Sequence, residues 1–329
     1  MRAMLLRAPG DPEGSLSVVD VARPAPGPGE VLIEVAFGGC NFADTMMRDG
    51  TYPHPKGYPL VAGLEVSGRI AALGAGVRGL APGDRVAAFI EEAGGYADFC
   101  VAQAARVVPL PDAMGLDAGA AFPIQGLTAW HMLNTISTTR PGDVVLVHAI
   151  GGGVGLYLTQ FAVAAGARVI GTIGTAGKEA RPLACGAELV VNRAETDFVT
   201  AIADHVGPHG VDKMLDSTGA SILDRSFGLM RNLGHVISYG EAEGKPLPNL
   251  WEQLVRRSLT FTRFHLGHAD FAAPSWEAGW RAVTEGIASG RVKAPIERVF
   301  PFEAVGEMYD TLRSRQIAGK LLLAVNPAL

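Results

Sequence analysis

Val144-Val145-Leu146-Val147-His148-Ala149-Ile150-Gly151-Gly152-Gly153-Val154-Gly155 is an apolar run that ends in a glycine cluster and continues into Leu156-Tyr157-Leu158-Thr159-Gln160-Phe161-Ala162. Its first part follows the turn signal Pro141-Gly142-Asp143 and reads as a buried strand; the part after Gly155 reads as a helix. A strand that passes through glycines into a helix lets the backbone approach a pyrophosphate, whose charge then meets the free N–H groups and positive dipole end of that helix. Gly151, Gly153 and Gly155 are therefore candidate contacts to a dinucleotide. A glycine cluster also suits any tight strand-to-helix turn in a parallel α/β domain, so the neighbouring sequence decides.

Gly166-Ala167-Arg168-Val169-Ile170-Gly171-Thr172-Ile173-Gly174 supplies a second short strand, and with it the spacing of a β-α-β unit. An NAD-specific site would place Asp or Glu about twenty residues beyond the first glycines, to bind the ribose hydroxyls. No acid lies between Ala167 and Lys178. Gly174-Thr175-Ala176-Gly177-Lys178 occupies that place, and Asn192-Arg193 follows the next apolar pair, Val190-Val191. A dianionic 2′-phosphate would be repelled by a carboxylate and held by Lys, Arg and hydroxyl donors. The pattern favours NADP(H), with ordinary solvated surface charges as the other reading of Lys178 and Arg193.

The chain of 329 residues is long enough for two domains, and 48% apolar with 19% charged residues describes a compact protein with large cores. A net charge of −5 provides no basic field for nucleic acid or an anionic membrane. The N-terminus turns polar at Pro9-Gly10-Asp11 before a signal region could form, and no apolar run reaches bilayer length, so the expected location is the cytoplasm. Three scattered cysteines, Cys40, Cys100 and Cys185, argue against a disulfide framework and a four-cysteine zinc site.

Short apolar runs punctuated by Gly and Pro fill the first hundred residues: Val31–Ala36, Val66–Ala71, Arg85–Phe89 and Tyr96–Val101. They suggest a β-rich lobe, a partly closed barrel. After Thr128 the chain alternates strand and helix, the order of a doubly wound parallel sheet, with further strands at Lys213–Asp216, His235–Tyr239 and Leu259–Thr262. The tail holds a helix around Trp276–Ser289 and a closing strand, Gly319–Val325, placed to return to the first lobe.

Several motifs together resemble the medium-chain dehydrogenase/reductase superfamily, and within it the zinc-free, zeta-crystallin-like NADPH:quinone oxidoreductases. They are Gly39-Cys40-Asn41-Phe42-Ala43-Asp44, Arg48-Asp49-Gly50-Thr51-Tyr52-Pro53, Gly63-Leu64-Glu65-Val66-Ser67-Gly68, Gly83-Asp84-Arg85-Val86, Gly126-Leu127-Thr128-Ala129, the glycine loop, Gly174–Lys178 and Asp216-Ser217-Thr218-Gly219. The resemblance implies an α/β fold: a GroES-like β-rich catalytic domain over 1–124 and 266–329 and an inserted Rossmann domain over 125–265. Zinc-dependent relatives carry Cys at the position of Asn41, His at that of Leu64 and a further ligand near Gln125. Leucine offers zinc nothing, so no catalytic metal is expected; Cys40 and Glu65 with one histidine would make an incomplete set.

Without a Lewis acid, hydride transfer suits an acceptor that is already electrophilic, a quinone or a carbonyl conjugated to C=C. The resemblance makes Asn41, Tyr52 and Thr128 the catalytic candidates, which orient acceptor or nicotinamide, with Tyr52 also a candidate proton donor. It puts NADPH against Phe42, Gly153, Val154, Thr175, Lys178, Arg193, Ser217, Tyr239, Gly240, Thr262, Arg263 and Arg315. Relatives often have Tyr where Arg193 and Met46 stand here. Two alternatives remain open: a 2-enoyl-thioester or alkenal reductase, and a non-catalytic NADPH-binding or RNA-binding protein. Family members are frequently dimers, and an edge strand near Leu254–Phe264 could extend a sheet into a homodimer.

Overall fold

The computed structural model describes residues 1–10, 15–52, 54–243 and 249–329; Asp11 and Pro53 of the quoted motifs lie outside them. The chain divides into two compact units, one of residues 1–127, 270–315 and 320–329, the other of residues 128–269 and 316–319.

The first unit is built on a seven-stranded sheet. Its order is Ile296–Pro301, Lys320–Ala324, Glu30–Cys40, Glu65–Leu73, Arg85–Phe89 and Val107–Pro109, with Phe99–Gln103 also paired to Glu30–Cys40. A smaller sheet joins Leu16–Asp20, Arg2–Leu6 and Leu60–Val61. The long central strand crosses Glu65–Leu73 with two register shifts, and at Gly68 an added Cβ would lie 1.9 Å from Glu34 O. Only glycine allows that approach. Strand Lys320–Ala324 pairs antiparallel with the end of the central strand, Leu321 opposite Cys40, so the C-terminal segment lies beside the helix start at Phe42. Asn41 begins that helix by donating its backbone N–H to Asp44 Oδ2 at 2.8 Å, and Gly50 ends it with φ 78°.

The second unit is a sheet of six parallel strands ordered Leu189–Asn192, Arg168–Ile173, Val144–His148, Val211–Asp216, Met230–Ser238 and Thr260–Arg263. Numbered along this unit, the order is 3-2-1-4-5-6, the doubly wound arrangement whose strand order reverses beside Val144–His148. Every residue of that strand is buried, as expected of a parallel strand covered on both faces. Leu146, Ile170, Met214 and Val236 pack with Phe198 and Ile202 in the core of this unit.

His148 closes the central strand with both ring nitrogens engaged, Nδ1 with Thr172 Oγ1 at 2.8 Å and Nε2 with Ser226 Oγ at 2.9 Å, and its ring edge meets Phe198. Burial, aided by the nearby Arg193 charge, pushes its pKa down to about 3; burial alone takes His131 down to about 4. The unfolded chain, with histidines near 6.5, then binds more protons than the folded chain below that pH. The stability set by these two histidines is therefore full above pH 6.5 and falls as pH drops toward the folded values, while Asp44, pushed up to about 7, acts in the opposite sense. His148 contributes a loss of about 2 kcal/mol by about pH 5. Urea unfolding at pH 7 and 5 should show this decline, and His148→Gln should flatten it; a slope unchanged by that substitution would contradict the assignment.

Candidate active site

The glycine loop leaves the central strand through Ala149, held at φ 53°, and enters the helix Gly153–Ala164 at Gly152. That helix has no side-chain cap and no acidic residue in its first turn. Its first amides have no partner within the helix and carry the positive end of its dipole. At Gly155 an added Cβ would sit 2.6 Å from Ile150 O and 2.7 Å from Ala149 O, so the missing side chain lets the helix pack directly on the loop. Gly151 faces the chain that follows the second strand: an added Cβ would be 3.0 Å from Lys178 Cβ. This loop fits the pyrophosphate of a dinucleotide.

The ends of the second and third strands are joined by register. Ile173 lies opposite Asn192, and Arg193 N donates to Ile173 O at 2.9 Å, which brings the two strand ends together. The Arg193 guanidinium donates through Nη1 to Thr172 Oγ1 and lies across Gly174, where a Cβ would stand 3.1 Å from Nη2. Lys178 follows after the turn at Gly177, φ 88°. Thr175, Lys178 and Arg193 are all half-buried and follow the ends of two adjacent parallel strands.

Ser217, Tyr239 and Gly240 meet at the ends of the next two strands. Tyr239 N donates to Asp216 O at 2.8 Å, a Gly240 Cβ would touch Ser217 at 3.0 Å, and Asp216 Oδ2 accepts from Gly219 N at 3.0 Å. Burial pushes the Tyr239 phenol pKa up, opposed by its hydrogen bond with Ser217. Two expected contacts are otherwise engaged. The Thr262 hydroxyl bonds His235 Nε2 at 2.9 Å, and Arg263 spends its guanidinium on Phe264 O, Ser238 O and Glu241 Oε1. Arg315 belongs to the first unit, exposed with φ 57° just beyond the helix Val305–Arg313. Thr128 is buried in the helix Gln125–His131.

In the first unit Asn41 is 5% exposed and sits in a dense polar cluster. Its Nδ2 donates to Glu65 Oε1 at 2.7 Å, while Oδ1 accepts from Lys320 Nζ at 2.8 Å and from Gln125 Nε2 at 3.3 Å. Glu65 Oε1 is ion-paired with Lys320, and Oε2 accepts from Ile124 N at 2.8 Å. Glu65 and Lys320 are both fully buried. A Gly39 Cβ would lie 2.6 Å from Glu65 Oε1, so that glycine makes room for the carboxylate. Burial pushes Asp44 up to about 7 and raises the Cys40 thiol, to which Asp44 adds. Phe42 is half-buried at the first position of the neighbouring helix, and Tyr52 is exposed on the loop after it.

These residues do not suit zinc. Leu64 has no donor atom, both Glu65 oxygens are engaged, and an ammonium on Asn41 Oδ1 opposes a dication. Among the described residues no three His, Cys, Asp or Glu side chains gather as a ligand set. His205 and His209 go separately to Glu188 and Asp212, divided by the helix end at Gly207. Sequence reasoning did not find Lys320 as a member of the site. Its one signal was a lysine opening the apolar strand Leu321-Leu322-Leu323.

Residues 27–112 match the alcohol dehydrogenase GroES-like domain, and residues 153–284 match the zinc-binding dehydrogenase family. The chain is 32% identical to a probable quinone oxidoreductase of Schizosaccharomyces pombe, over 97% of this chain and 95% of that protein. It is 30% identical to a 2-haloacrylate reductase of a Burkholderia species, over 91% and 92%. Among solved structures, the Escherichia coli quinone oxidoreductase complexed with NADPH superposes with a TM-score of 0.93 at 30% identity, over 99% of this chain and all of that one. Matches in both units and along nearly the whole length place the chain in the quinone oxidoreductase family of the medium-chain dehydrogenases/reductases.

Proposed function

We propose that the protein transfers hydride from NADPH to a conjugated carbonyl acceptor, a quinone in the first instance, without catalytic zinc. The observation that carries this reading is Arg193 lying across Gly174 at the end of the second strand, with Lys178 in the turn that follows that strand, where an NAD site would place a carboxylate. The Escherichia coli relative of the same fold is complexed with NADPH, which supports the cofactor. Bound there, NADPH supplies the hydride.

This chain's own residues hold and orient. The uncapped turn at Gly151–Gly155 receives the pyrophosphate, Thr175, Lys178 and Arg193 the 2′-phosphate, and Ser217, Tyr239 and Gly240 line the nicotinamide side, with Phe42, Val154, Thr262, Arg263 and Arg315 as outer contacts. When hydride reaches a quinone or enone, negative charge moves onto oxygen, and preorganised N–H and O–H donors stabilise it. Asn41 is assigned that role, with Thr128 and Tyr52 as hydroxyl donors. C=C reduction is the second reading, favoured by the likeness to the 2-haloacrylate reductase. NADPH oxidation against 1,4-benzoquinone, an enone and an enoyl-CoA separates them: quinone turnover is expected to lead, and dominance of enoyl-CoA would reassign the acceptor.

No helix among the described residues is long and apolar enough to cross a membrane. We propose a cytoplasmic homodimer: strand Thr260–Arg263 is the last of its sheet, and Leu233, Trp251 and Val255 are exposed nearby in the chain. Sedimentation as a monomer at micromolar concentration would reject the dimer.

A further inference from the structure

A buried ion pair is rarely retained for stability, because the cost of desolvating both charges roughly cancels their attraction. Lys320 and Glu65 are nonetheless fully buried, from strands far apart in the chain, and both contact the Asn41 amide. Lysine can only donate and a carboxylate only accept, so the two together allow one orientation of that amide: Oδ1 toward Lys320, Nδ2 toward Glu65. One Nδ2 hydrogen is taken by Glu65; the second has no acceptor among the described residues. Beside it, Gln125 holds its Nε2 on Asn41 Oδ1, while its buried Oε1 has no partner among the described residues. An N–H donor and an unused buried acceptor therefore lie side by side.

We propose that Lys320 is a positioning residue for reduction, whose ammonium fixes Asn41 with its second N–H available to the acceptor oxygen as that oxygen gains charge. The inference rests on the assignment of Asn41 made above. Of the three positions where zinc relatives carry ligands, Asn41 and Gln125 touch each other here, and the cation on Asn41 Oδ1 is an ammonium. Gln125 Oε1 is then the acceptor for the hydroxyl that forms when the reduced oxygen takes a proton from solvent.

Kinetics with 1,4-benzoquinone on Lys320→Met, Glu65→Gln/Lys320→Met, Lys320→Arg and Asn41→Ala test the proposal. Lys320→Met is expected to lower kcat about a hundredfold, the scale of losing one oxyanion donor, with NADPH Kd held within about threefold. Lys320→Arg, which keeps a donor for Asn41 Oδ1, should recover at least about tenfold of that loss. The double variant removes the carboxylate left without its cation, so it separates misfolding from lost orientation: folded, it should remain slow. A folded double variant with kcat within about threefold of the parent, while Asn41→Ala is impaired, would overturn the role of Lys320 and leave the site assignment standing. Parental kcat in Asn41→Ala would overturn the assignment beneath it.

Discussion

Joint replacement of Lys178 and Arg193 by alanine is expected to raise the Kd for NADPH by about a thousandfold and to change that for NADH by less than about threefold. A hydrogen bond to a charged group contributes about 1.5–3 kcal/mol, so each lost cation accounts for about thirtyfold and the pair for the product. The selectivity follows from placement: Arg193 crosses Gly174 at the end of the second strand, and Lys178 closes on Gly151 from the turn that follows. Because Arg193 also donates to Thr172, whose hydroxyl bonds His148, its removal loosens a buried contact, and the double variant should melt a few degrees lower. Fluorescence titration with both nucleotides checks the result. Equal losses for NADPH and NADH would show that these cations do not read the phosphate.

Gly155→Val should abolish binding of both nucleotides alike. A Cβ here would stand 2.6 Å from Ile150 O and 2.7 Å from Ala149 O, so the helix must move off the loop and take its first-turn amides with it. Overpacking of this kind costs about 3 kcal/mol in stability, and the displaced amides no longer converge on a pyrophosphate. Gly228→Ala is the control, because nothing lies within 4 Å of its added Cβ. Titration should find no saturable binding to Gly155→Val and parental affinity for the control. Tight NADPH binding by Gly155→Val would contradict the role given to the loop.

Much of this architecture could be read in advance because the decisive elements are local. Val144–His148 reads as a strand because its apolar run is continuous, and Gly151-Gly152-Gly153 marks the way out of it, although the helix begins at Gly153 rather than after Gly155. The central strand of the first unit extends to Cys40, beyond the apolar run ending at Ala36, because Gly38 and Gly39 serve space rather than strand propensity: added Cβ atoms would meet Tyr96 and Ala120 O. Residues 316–319 cluster with the second unit, where Arg181 donates to Ala318 O, a contact between segments far apart in sequence.

The site was legible to the extent that motifs are local, and illegible where it depends on distant strands. Asn41 and Glu65 each lie in a recognisable motif, but the cation joining them enters from Lys320, 279 residues from Asn41. Arg193 could be placed at a strand end, yet its seat on Thr172 follows from strand register. The engagement of Arg263 with Glu241 and two carbonyls likewise follows from how the last two strands pair, which residue types do not encode.

The most direct measurement is NADPH oxidation by 1,4-benzoquinone with the purified protein dialysed against chelator and assayed for bound metal. The account predicts undiminished turnover at negligible zinc content, with no gain on adding zinc. Activity that disappears with chelator and returns with stoichiometric zinc would contradict it.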